Sequence, residues 1–423
     1  MSDHLHTSHM AEHLIGSEII KLAGEINARI REGQKIYNLT IGDFNSNLFP
    51  IPDLLKEGIK TAYDNNETNY PPGEGILELR QEISRYISTR GNLEYHADEV
   101  IVAGGSRPLI YAIYKSLLDH KDTVLYPVPS WNNNHYVHLT GCKGIEIETS
   151  PENNFLPVAK DLKKHLSKAT LLALCSPLNP TGTCFSKKDL TAICKAVVKE
   201  NEKRKKKDKK ALYIMYDQIY WGLNYKGVKH VDPVSLCPEL REYTIYIHGI
   251  SKVFSATGVR VGWAWGPSKI INKMKSVLGH VGAWAPKAEQ KATAQFLAND
   301  KAISAYLKWE NTEINKRLEG FYNGFQSLKS KGLAIDALQP QGAIYLTVLI
   351  DILDKKTPEG HSLKSISDVT EYLLNRAHLA MVPFSAFGSH TDKPWYRLSV
   401  GTCSMDDVHE IIKHLDKALT NLK

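Results

Sequence analysis

The sequence predicts an α/β fold, with a largely parallel, buried β-sheet in a first, larger part of the chain and a smaller α+β part after it. Two observations predict this class. From about residue 50 to residue 310, apolar runs of strand length alternate with longer segments of helical periodicity, the pattern of β-α-β units. After about residue 310, a long charged helix is followed by further strand and helix patterns. The 423 residues, 42% hydrophobic and 23% charged, exclude a disordered chain and a small disulfide-stapled module.

The elements follow in order along the chain. An amphipathic helix is predicted over Ser17 to Arg31, with Ser17 as its cap and Gly33 as its stop. Each strand of the larger part is predicted from a continuous apolar run, because a parallel sheet is buried on both faces. The predicted strands are residues 100–103, 123–127, 170–175, 211–216, 244–249 and 261–266. In the smaller part we expect a helix over 306–325, a strand in 342–351, a helix near 368–378 and a strand in 395–402.

The positive charge of the chain is concentrated in one short tract. The formal net charge is +7, and the basic tract Lys203 to Lys210, which reads KRKKKDKK, supplies six of these charges. Like charges in a run repel one another and stay in solvent, so we expect an exposed loop or helix end, inserted away from any site. The rest of the chain is nearly neutral, which argues against a nucleic-acid partner.

The cysteine usage and the apolar runs indicate a reduced, cytoplasmic protein. The six cysteines are scattered, with no C-x-x-C pair. We find no secretory signal and no stretch that approaches the roughly 18 apolar residues of a membrane helix. The histidines near the N-terminus match no metal motif, so no metal site is expected; they are His4, His6, His9 and His13.

Polar residues follow several of the predicted strands, at the edge where an open parallel sheet binds ligands. Gly105 and Ser106 come after the strand at 100–103, Asn179 after 170–175, Asp217 after 211–216 and Lys252 after 244–249. Each has an ordinary structural explanation when taken alone. Gly105 and Ser106 can form a tight turn, Asn179 can belong to an N-P-T-G turn, Asp217 can cap a helix, and Lys252 can be a surface lysine. A glycine–serine loop that opens a helix can also cradle an anion with its free N–H groups.

The joint order of these pieces is more specific than any one of them. The Gly/Ser loop, N-P-T-G, D-x-x-Y and the run SKVFSATGVRVGW from Ser251 to Trp263 resemble the fold type I pyridoxal-phosphate enzymes. The resemblance is closest to the class I/II aminotransferases of the aspartate aminotransferase type, and it extends from about Ile36 to the C-terminal strand. It implies a mostly parallel seven-stranded sheet in a large domain at 49–310. It also implies a small domain at 311–423 completed by an N-terminal arm at 1–48, and a homodimer with shared active sites.

The resemblance assigns the catalytic groups and the cofactor. Lys252 would form the internal aldimine with pyridoxal 5′-phosphate and then move the proton between the substrate α-carbon and the cofactor. Asp217 would pair with the ring nitrogen and keep it protonated. Tyr220 and Asn179 would donate hydrogen bonds to the phenolic oxygen of the cofactor.

The same resemblance assigns the remaining contacts. The phosphate would lie among Gly105, Ser106, Arg107, Ser251 and Arg260, with Trp131 stacked on the cofactor ring and Tyr70 reaching the phosphate of the neighbouring subunit. The substrate would contact Trp131 and Asn179, with Arg397 gripping its α-carboxylate and Gly42 closing over it as part of a movable lid. Arg107 could instead touch the substrate, and no motif places a residue for a side-chain carboxylate.

The predicted activity is transamination from an L-amino acid to a 2-oxo acid. Two other interpretations stay open at this point. A carbon–sulfur β-lyase or an aminocyclopropane-carboxylate-synthase-like enzyme would share most of these residues. A non-catalytic regulator that binds the cofactor is the more remote alternative, because only about forty residues with a single helix precede the match.

Overall fold

The structure is a computed structural model that describes residues 6–14, 16 and 18–423, except for the side chains of residues 18–20. The predicted cap Ser17 and His4 lie outside the described residues. The helices are α1 (His9–Glu12), α2 (Glu18–Arg31), α3 (Asp53–Asp64), α4 (Leu77–Gly91), α5 (Ser106–Leu117), α6 (Asn133–Thr140), α7 (Ala159–Lys163), α8 (Lys187–Lys205), α9 (Pro233–Leu236), α10 (Ile250–Val253), α11 (Ser268–Val281), α12 (Lys287–Leu297), α13 (Asp300–Ser330), α14 (Ile366–Arg376) and α15 (Met405–Thr420). The strands are β1 (Tyr37–Asn38), β2 (Val100–Ala103), β3 (Thr123–Val128), β4 (Lys143–Glu148), β5 (Leu171–Cys175), β6 (Tyr213–Asp217), β7 (Thr244–Gly249), β8 (Gly262–Trp265), β9 (Ile335–Ala337), β10 (Tyr345–Ile350), β11 (Leu379–Ala380), β12 (Val382–Pro383) and β13 (Trp395–Ser399).

A seven-stranded sheet forms the centre of the larger part, in the order β2-β8-β7-β6-β5-β3-β4. Its neighbours are parallel except at β8, which runs antiparallel to both β2 and β7. The predicted mostly parallel sheet is therefore confirmed, and all six predicted strands are present. Strand β4 was not predicted, because it lies at the edge of the sheet and its residues KGIEIE are mostly exposed.

Apolar residues pack against both faces of this sheet, which explains the continuous apolar runs. Along β7, Tyr246 belongs to one core cluster, whereas Ile245 and Ile247 belong to the other. Successive side chains point to opposite faces, and here both faces are covered. The carboxyl ends of the strands are thereby left as the edge at which polar side chains can meet.

The smaller part is built around an antiparallel sheet in the order β12-β13-β10-β9. Strand β1 pairs with β11 in parallel, with Tyr37 opposite Leu379, so an N-terminal segment lies beside the C-terminal strands. The helix predicted at 306–325 is longer than expected, because α13 runs through Asp300–Ser330. The boundary expected between residues 310 and 311 falls inside this helix, and the three-part division of the chain stays a prediction. Within the part of the chain that the structure describes, no helix has the length and apolarity needed to cross a membrane.

The basic tract is not uniformly solvated, which corrects one expectation. Arg204 is buried at the end of α8, and its Nη2 donates to the backbone carbonyls of Leu166 (2.6 Å) and Ala169 (2.7 Å). Its Nη1 donates to the carbonyl of Lys210 at 3.0 Å. The other residues of the tract are exposed. Arg204 therefore ties the end of α8 to the segment that leads into β5.

Replacing Arg204 with alanine is expected to lower the free energy of unfolding by about 3 kcal/mol, because buried carbonyls lose their donors. Lys206→Ala, in the exposed part of the same tract, is the matched control and should change stability by less than about 0.5 kcal/mol. Urea unfolding of both variants checks the difference. Equal stability of the two variants would contradict the structural role of Arg204.

Glu310 is a buried carboxyl group on α13, with 0% exposure. Its Oε1 accepts a hydrogen bond from the Ser255 hydroxyl at 2.7 Å. Its Oε2 has no hydrogen-bond partner among the described residues. Burial raises the pKa of Glu310 to about 8. The folded protein therefore holds this proton at pH values where the unfolded chain has released it.

The stability of the protein is expected to fall as the pH rises from about 5 to 8, relative to a Glu310→Gln variant. The folded state binds the Glu310 proton more tightly than the unfolded state. The free energy of unfolding therefore decreases by up to about 1.4 kcal/mol for each unit by which the pH rises. Unfolding curves at several pH values should show the wild type and the variant diverging in favour of the variant. Glu242→Gln, at an exposed position, is the control, and parallel wild-type and Glu310→Gln curves would refute the assignment.

Candidate active site

A cavity of about 330 Å³ lies at the carboxyl ends of β3, β5, β6 and β7. Strands β10 and β13 of the smaller part and the segment at residues 41–43 form its other side. Eleven of the predicted site residues line it: Gly42, Ser106, Arg107, Trp131, Asn179, Asp217, Tyr220, Ser251, Lys252, Arg260 and Arg397. Gly105 lies directly behind this lining, and Tyr70 lies outside it.

The loop before α5 forms the first wall of the cavity. Gly105 has a φ of +95°, and a Cβ added there would lie 2.1 Å from Arg260 Nη2, so glycine is required. Arg260 Nη2 donates to the carbonyl of Gly104 at 2.9 Å, and its Nη1 donates to the carbonyl of Thr257 at 2.7 Å. Together with the start of α5 at Ser106, the guanidinium makes a positive corner suited to an anion. We call Gly105, Ser106, Arg107, Ser251 and Arg260 the anion cradle.

Lys252 projects into the cavity from the short helix α10. Its Nζ donates to the carbonyl of Gly42 at 2.5 Å. Burial, together with the nearby cations Arg397, Arg107 and Arg260, lowers the pKa of Lys252 to about 8, although the charge of Asp43 acts in the opposite direction. At neutral pH a useful fraction of this amine is therefore uncharged and able to act as a nucleophile.

Asp217 is the last residue of β6 and lies deep in the same cavity. Its Oδ1 accepts the backbone N–H of Ile219 at 3.0 Å. Burial raises the pKa of Asp217 to about 6. A cationic partner in the cavity would offset the cost of burying this charge and restore the ordinary acidity of the carboxyl group.

Two tyrosines of the cavity lining contact one another. The hydroxyl groups of Tyr220 and Tyr345 share a hydrogen bond of 2.6 Å, and burial holds the pKa of Tyr220 well above its ordinary value. A Cβ added to Gly42 would lie 2.3 Å from the Tyr345 hydroxyl, so the segment at Gly42 packs directly on this ring. Tyr345 was not predicted as a site residue, because it lies within an apolar run of strand length, where a tyrosine is typical of the core.

Arg397 lies on β13 with only 2% of its surface exposed. Its Nη1 donates to Asn179 Oδ1 at 3.1 Å, and its Nη2 donates to the carbonyl of Thr40. The guanidinium lies 4.7 Å from the ring centroid of Tyr345. Its Nε is buried and has no hydrogen-bond partner among the residues that the structure describes. A buried donor of this kind is suited to a carboxylate that enters the cavity.

Trp131 and Tyr70 differ in their placement. The Arg107 guanidinium lies 4.8 Å from the Trp131 ring centroid, in the wall of the cavity. Tyr70 is 83% exposed and packs edge-on against Trp284, with 5.3 Å between ring centroids.

Further residues that line the cavity were not predicted. The polar ones are Asp43, Ser130, Asn133, Tyr136, Cys175, Thr257 and Tyr345. Asp43 directly follows the predicted residue Gly42 in the sequence, and this neighbourhood was the signal that could have found it.

The donor set of the cavity fits one cofactor. A lysine amine suits an aldehyde, Asp217 suits a ring nitrogen that carries a proton, and the anion cradle suits a phosphate. Because Gly105 has no Cβ, its backbone and the Arg260 guanidinium can lie close together in the anion cradle. Fold and site together define a pyridoxal-phosphate-dependent enzyme built on a mostly parallel sheet.

Comparisons with known proteins give the family. Residues 34–415 match the model of the aminotransferases of class I and II. An aspartate aminotransferase of Rhizobium meliloti (strain 1021) is 28% identical over 409 residues, which cover 96% of this chain and 94% of that protein. The crystal structure of the aspartate aminotransferase from Rhizobium meliloti superposes with a TM-score of 0.90 at 26% identity, covering 99% of this chain and 100% of that one. Aspartate aminotransferase from Thermus thermophilus with maleate superposes with a TM-score of 0.86 at 25% identity, covering 98% of this chain and all of that one.

The chain belongs to the class I and II aminotransferases. It has fold type I, depends on pyridoxal 5′-phosphate and moves an amino group from an amino acid to a 2-oxo acid. The predictions of fold class, family, cofactor and activity are thereby confirmed. The comparisons favour transamination over the elimination reactions and over a non-catalytic regulator.

Proposed function

We propose that this enzyme transfers the amino group of an L-amino acid with a side-chain carboxylate, aspartate above all, to a 2-oxo acid such as 2-oxoglutarate. One observation carries the proposal: Lys252, Asp217 and Arg397 line the same cavity, beside an anion cradle. The names of the relatives support aspartate as the amino donor. Maleate, which accompanies the Thermus thermophilus structure, is a four-carbon dicarboxylate like aspartate.

Bound pyridoxal phosphate would supply an aldehyde to condense with amines and a ring that withdraws electrons from the substrate α-carbon. Lys252 would hold the cofactor through Nζ until a substrate amine takes its place. The freed Nζ would then be the group that moves the proton from the substrate α-carbon. The lowered pKa of Lys252, about 8, suits both roles near neutral pH.

Asp217, Tyr220 and Asn179 would hold the cofactor ring. The Asp217 carboxylate would keep a proton on the ring nitrogen by charge attraction. The Tyr220 hydroxyl would donate to the phenolic oxygen. The Oδ1 of Asn179 accepts from Arg397, so the amide N–H group of Asn179 would be left to donate to the same oxygen.

Arg397 and Gly42 bind the substrate α-carboxylate. The Arg397 Nε is buried without a hydrogen-bond partner among the described residues, and Nη2 donates to the Thr40 carbonyl, near the Gly42 backbone that would close over the ligand. We assign the side-chain carboxylate to Arg107, which reaches the cavity from the start of α5, stacked on Trp131. Arg107 would then serve both the anion cradle and the substrate.

A homodimer would complete the site through Tyr70. This side chain is 83% exposed on its own subunit, although it is large and aromatic, and we propose that it reaches the phosphate of the partner. Mixing two inactive variants, Lys252→Ala and Tyr70→Ala, tests this arrangement. If sites are shared, mixed dimers regain activity at the site that has both native residues; no recovery after exchange of subunits would contradict it.

The domain limits and the compartment follow the same proposal. We propose an N-terminal arm at 1–48, a cofactor-binding domain at 49–310 and a small domain at 311–423, with α13 connecting the last two. All six cysteines are free, which supports a reducing compartment such as the cytoplasm.

The substrate assignment is tested by adding single L-amino acids to the cofactor-loaded protein without a 2-oxo acid. We expect aspartate to change the cofactor absorbance at the lowest concentration, and Arg107→Gln to weaken aspartate far more than alanine. Release of a 2-oxo acid and ammonia over many turnovers without an acceptor would indicate elimination instead. Absence of any absorbance change with every amino acid would refute the proposal.

A further inference from the structure

Asp43 is an acidic residue of the cavity wall that the reaction described above does not use. It follows Gly42, whose carbonyl accepts the Lys252 amine. Its Oδ1 accepts the Thr257 hydroxyl at 2.6 Å and the backbone N–H of Phe44 at 2.8 Å. Both Asp43 and Thr257 line the cavity. The Asp43–Thr257 contact joins positions that are 214 residues apart in sequence.

The segment around Asp43 is held at its two ends by β13, which carries Arg397, and by the residues that follow this strand. The backbone N–H of Ser399 donates to the carbonyl of Leu39 at 3.0 Å, and that of Asn45 donates to the carbonyl of Gly401 at 2.9 Å. A Cβ at Gly401 would lie 2.1 Å from the Asp43 carbonyl oxygen, so the backbone of Asp43 is tightly packed on this side. These two hydrogen bonds hold the ends of the segment.

Two side chains donate hydrogen bonds to the middle of the segment, Lys252 to the Gly42 carbonyl and Thr257 to Asp43, and the Tyr345 ring packs against Gly42. The hydrogen bond from Lys252 would be lost whenever its amine is linked to the cofactor, because the amine could no longer donate as it does here. The contact between Asp43 and Thr257 then remains. Thr257 also binds the anion cradle, since its carbonyl accepts Arg260 Nη1 at 2.7 Å.

We propose that Asp43 is a positioning residue, whose carboxylate holds the Gly42 segment closed over the substrate side of the cavity through the Thr257 hydroxyl. This inference rests on the proposed roles of Lys252 and Gly42. Asp43 does not touch the reacting atoms. It positions the Gly42 backbone, which would close over the substrate carboxylate. Thr257 connects this backbone to the anion cradle, because its hydroxyl binds Asp43 and its carbonyl accepts from Arg260.

The charge of Asp43 has a second effect. Burial and the cations Arg397, Arg107 and Arg260 lower the pKa of Lys252, and Asp43 raises it. Asp217 is the other carboxyl group in the cavity lining. Loss of the Asp43 charge therefore favours an uncharged nitrogen at Lys252, whereas loss of the Thr257 hydroxyl leaves the charge in place.

Two variants separate the contact from the charge. Asp43→Asn removes the charge and keeps an oxygen for Thr257, and Thr257→Val removes the hydroxyl and keeps the charge. Asp53→Asn, at an exposed position at the start of α3, is the control. The cofactor-loaded proteins are compared by KM and kcat for the amino donor, by the pH midpoint of the cofactor absorbance and by thermal unfolding.

We expect Asp43→Asn and Thr257→Val each to raise KM about ten-fold, with kcat changed less than about two-fold, because one charge-assisted hydrogen bond is weakened or lost. The double variant should be no worse than the poorer single variant, since both remove one contact. The pH midpoint should move to lower pH in Asp43→Asn and stay in Thr257→Val. Thermal unfolding should match the control.

Three results would overturn the inference. In the first, both variants have the same KM and kcat as Asp53→Asn. In the second, the effects of the two single variants on KM multiply in the double variant. In the third, Asp43→Asn and Thr257→Val have the same pH midpoint of the cofactor absorbance. If Asp43→Asn does not fold, KM of Thr257→Val decides alone. If the chain proved to have no transaminase activity, the pH titration of the absorbance would still decide whether Asp43 acts on Lys252.

Discussion

Replacing Lys252 with alanine is expected to lower kcat/KM by about four orders of magnitude, the upper range for loss of a positioned acid–base group. The cavity offers no substitute, because the other basic side chains in its lining are arginines, which do not release a proton near neutral pH. The side-chain contacts of the anion cradle remain, so the variant should still bind the cofactor. Initial rates with aspartate and 2-oxoglutarate, together with the absorbance spectrum, measure both effects.

Lys269→Ala is the matched control for this experiment, because Lys269 is an exposed lysine on α11, outside the cavity. It should keep wild-type rates and spectrum. A Lys252→Ala protein with an unchanged spectrum and a rate within about ten-fold of wild type would contradict the assignment of Lys252, since such a loss is below that of a general base.

Replacing Arg397 with alanine is expected to raise KM for both the amino acid and the 2-oxo acid, and to lower kcat/KM by about 100- to 1000-fold. A buried, charge-assisted contact to a carboxylate contributes about 3 to 4 kcal/mol when removal of one partner leaves the other unpaired. Both substrates carry a carboxylate next to the reacting carbon, so both should be affected alike. Steady-state kinetics with each substrate varied in turn measure the loss.

Arg397→Lys distinguishes geometry from charge at this position. Lysine keeps the positive charge but not the planar fork of donors, so we expect it to recover only part of the loss. Arg376→Ala is the control and should not change KM, because Arg376 is the last residue of α14 and forms an exposed ion pair with Glu359. Loss of kcat alone, with KM unchanged for both substrates, would show that Arg397 does not bind their carboxylate.

The sequence predicted the parts of the fold that are decided locally. Continuous apolar runs identified the buried strands, since a strand covered on both faces must be apolar along its length. The exposed edge strand β4 lacks that pattern and was missed. Arg204 was missed for a related reason: nothing in a run of lysines tells which side chain turns inward to bind carbonyl groups.

The sequence also indicated the chemistry of the site, because Asp217 ends one strand, and Asn179 and Lys252 follow within four residues of two others, at one edge of the sheet. The tertiary structure alone decided which groups contact one another. Lys252 binds the carbonyl of Gly42 across 210 residues, Tyr220 meets Tyr345 across 125, and Arg397 reaches Thr40 across 357. The type and spacing of residues determine local geometry, whereas contacts over such distances depend on how the whole chain packs. The pKa of Lys252 and the position of Asp43 depend on these contacts and were therefore decided by the tertiary structure.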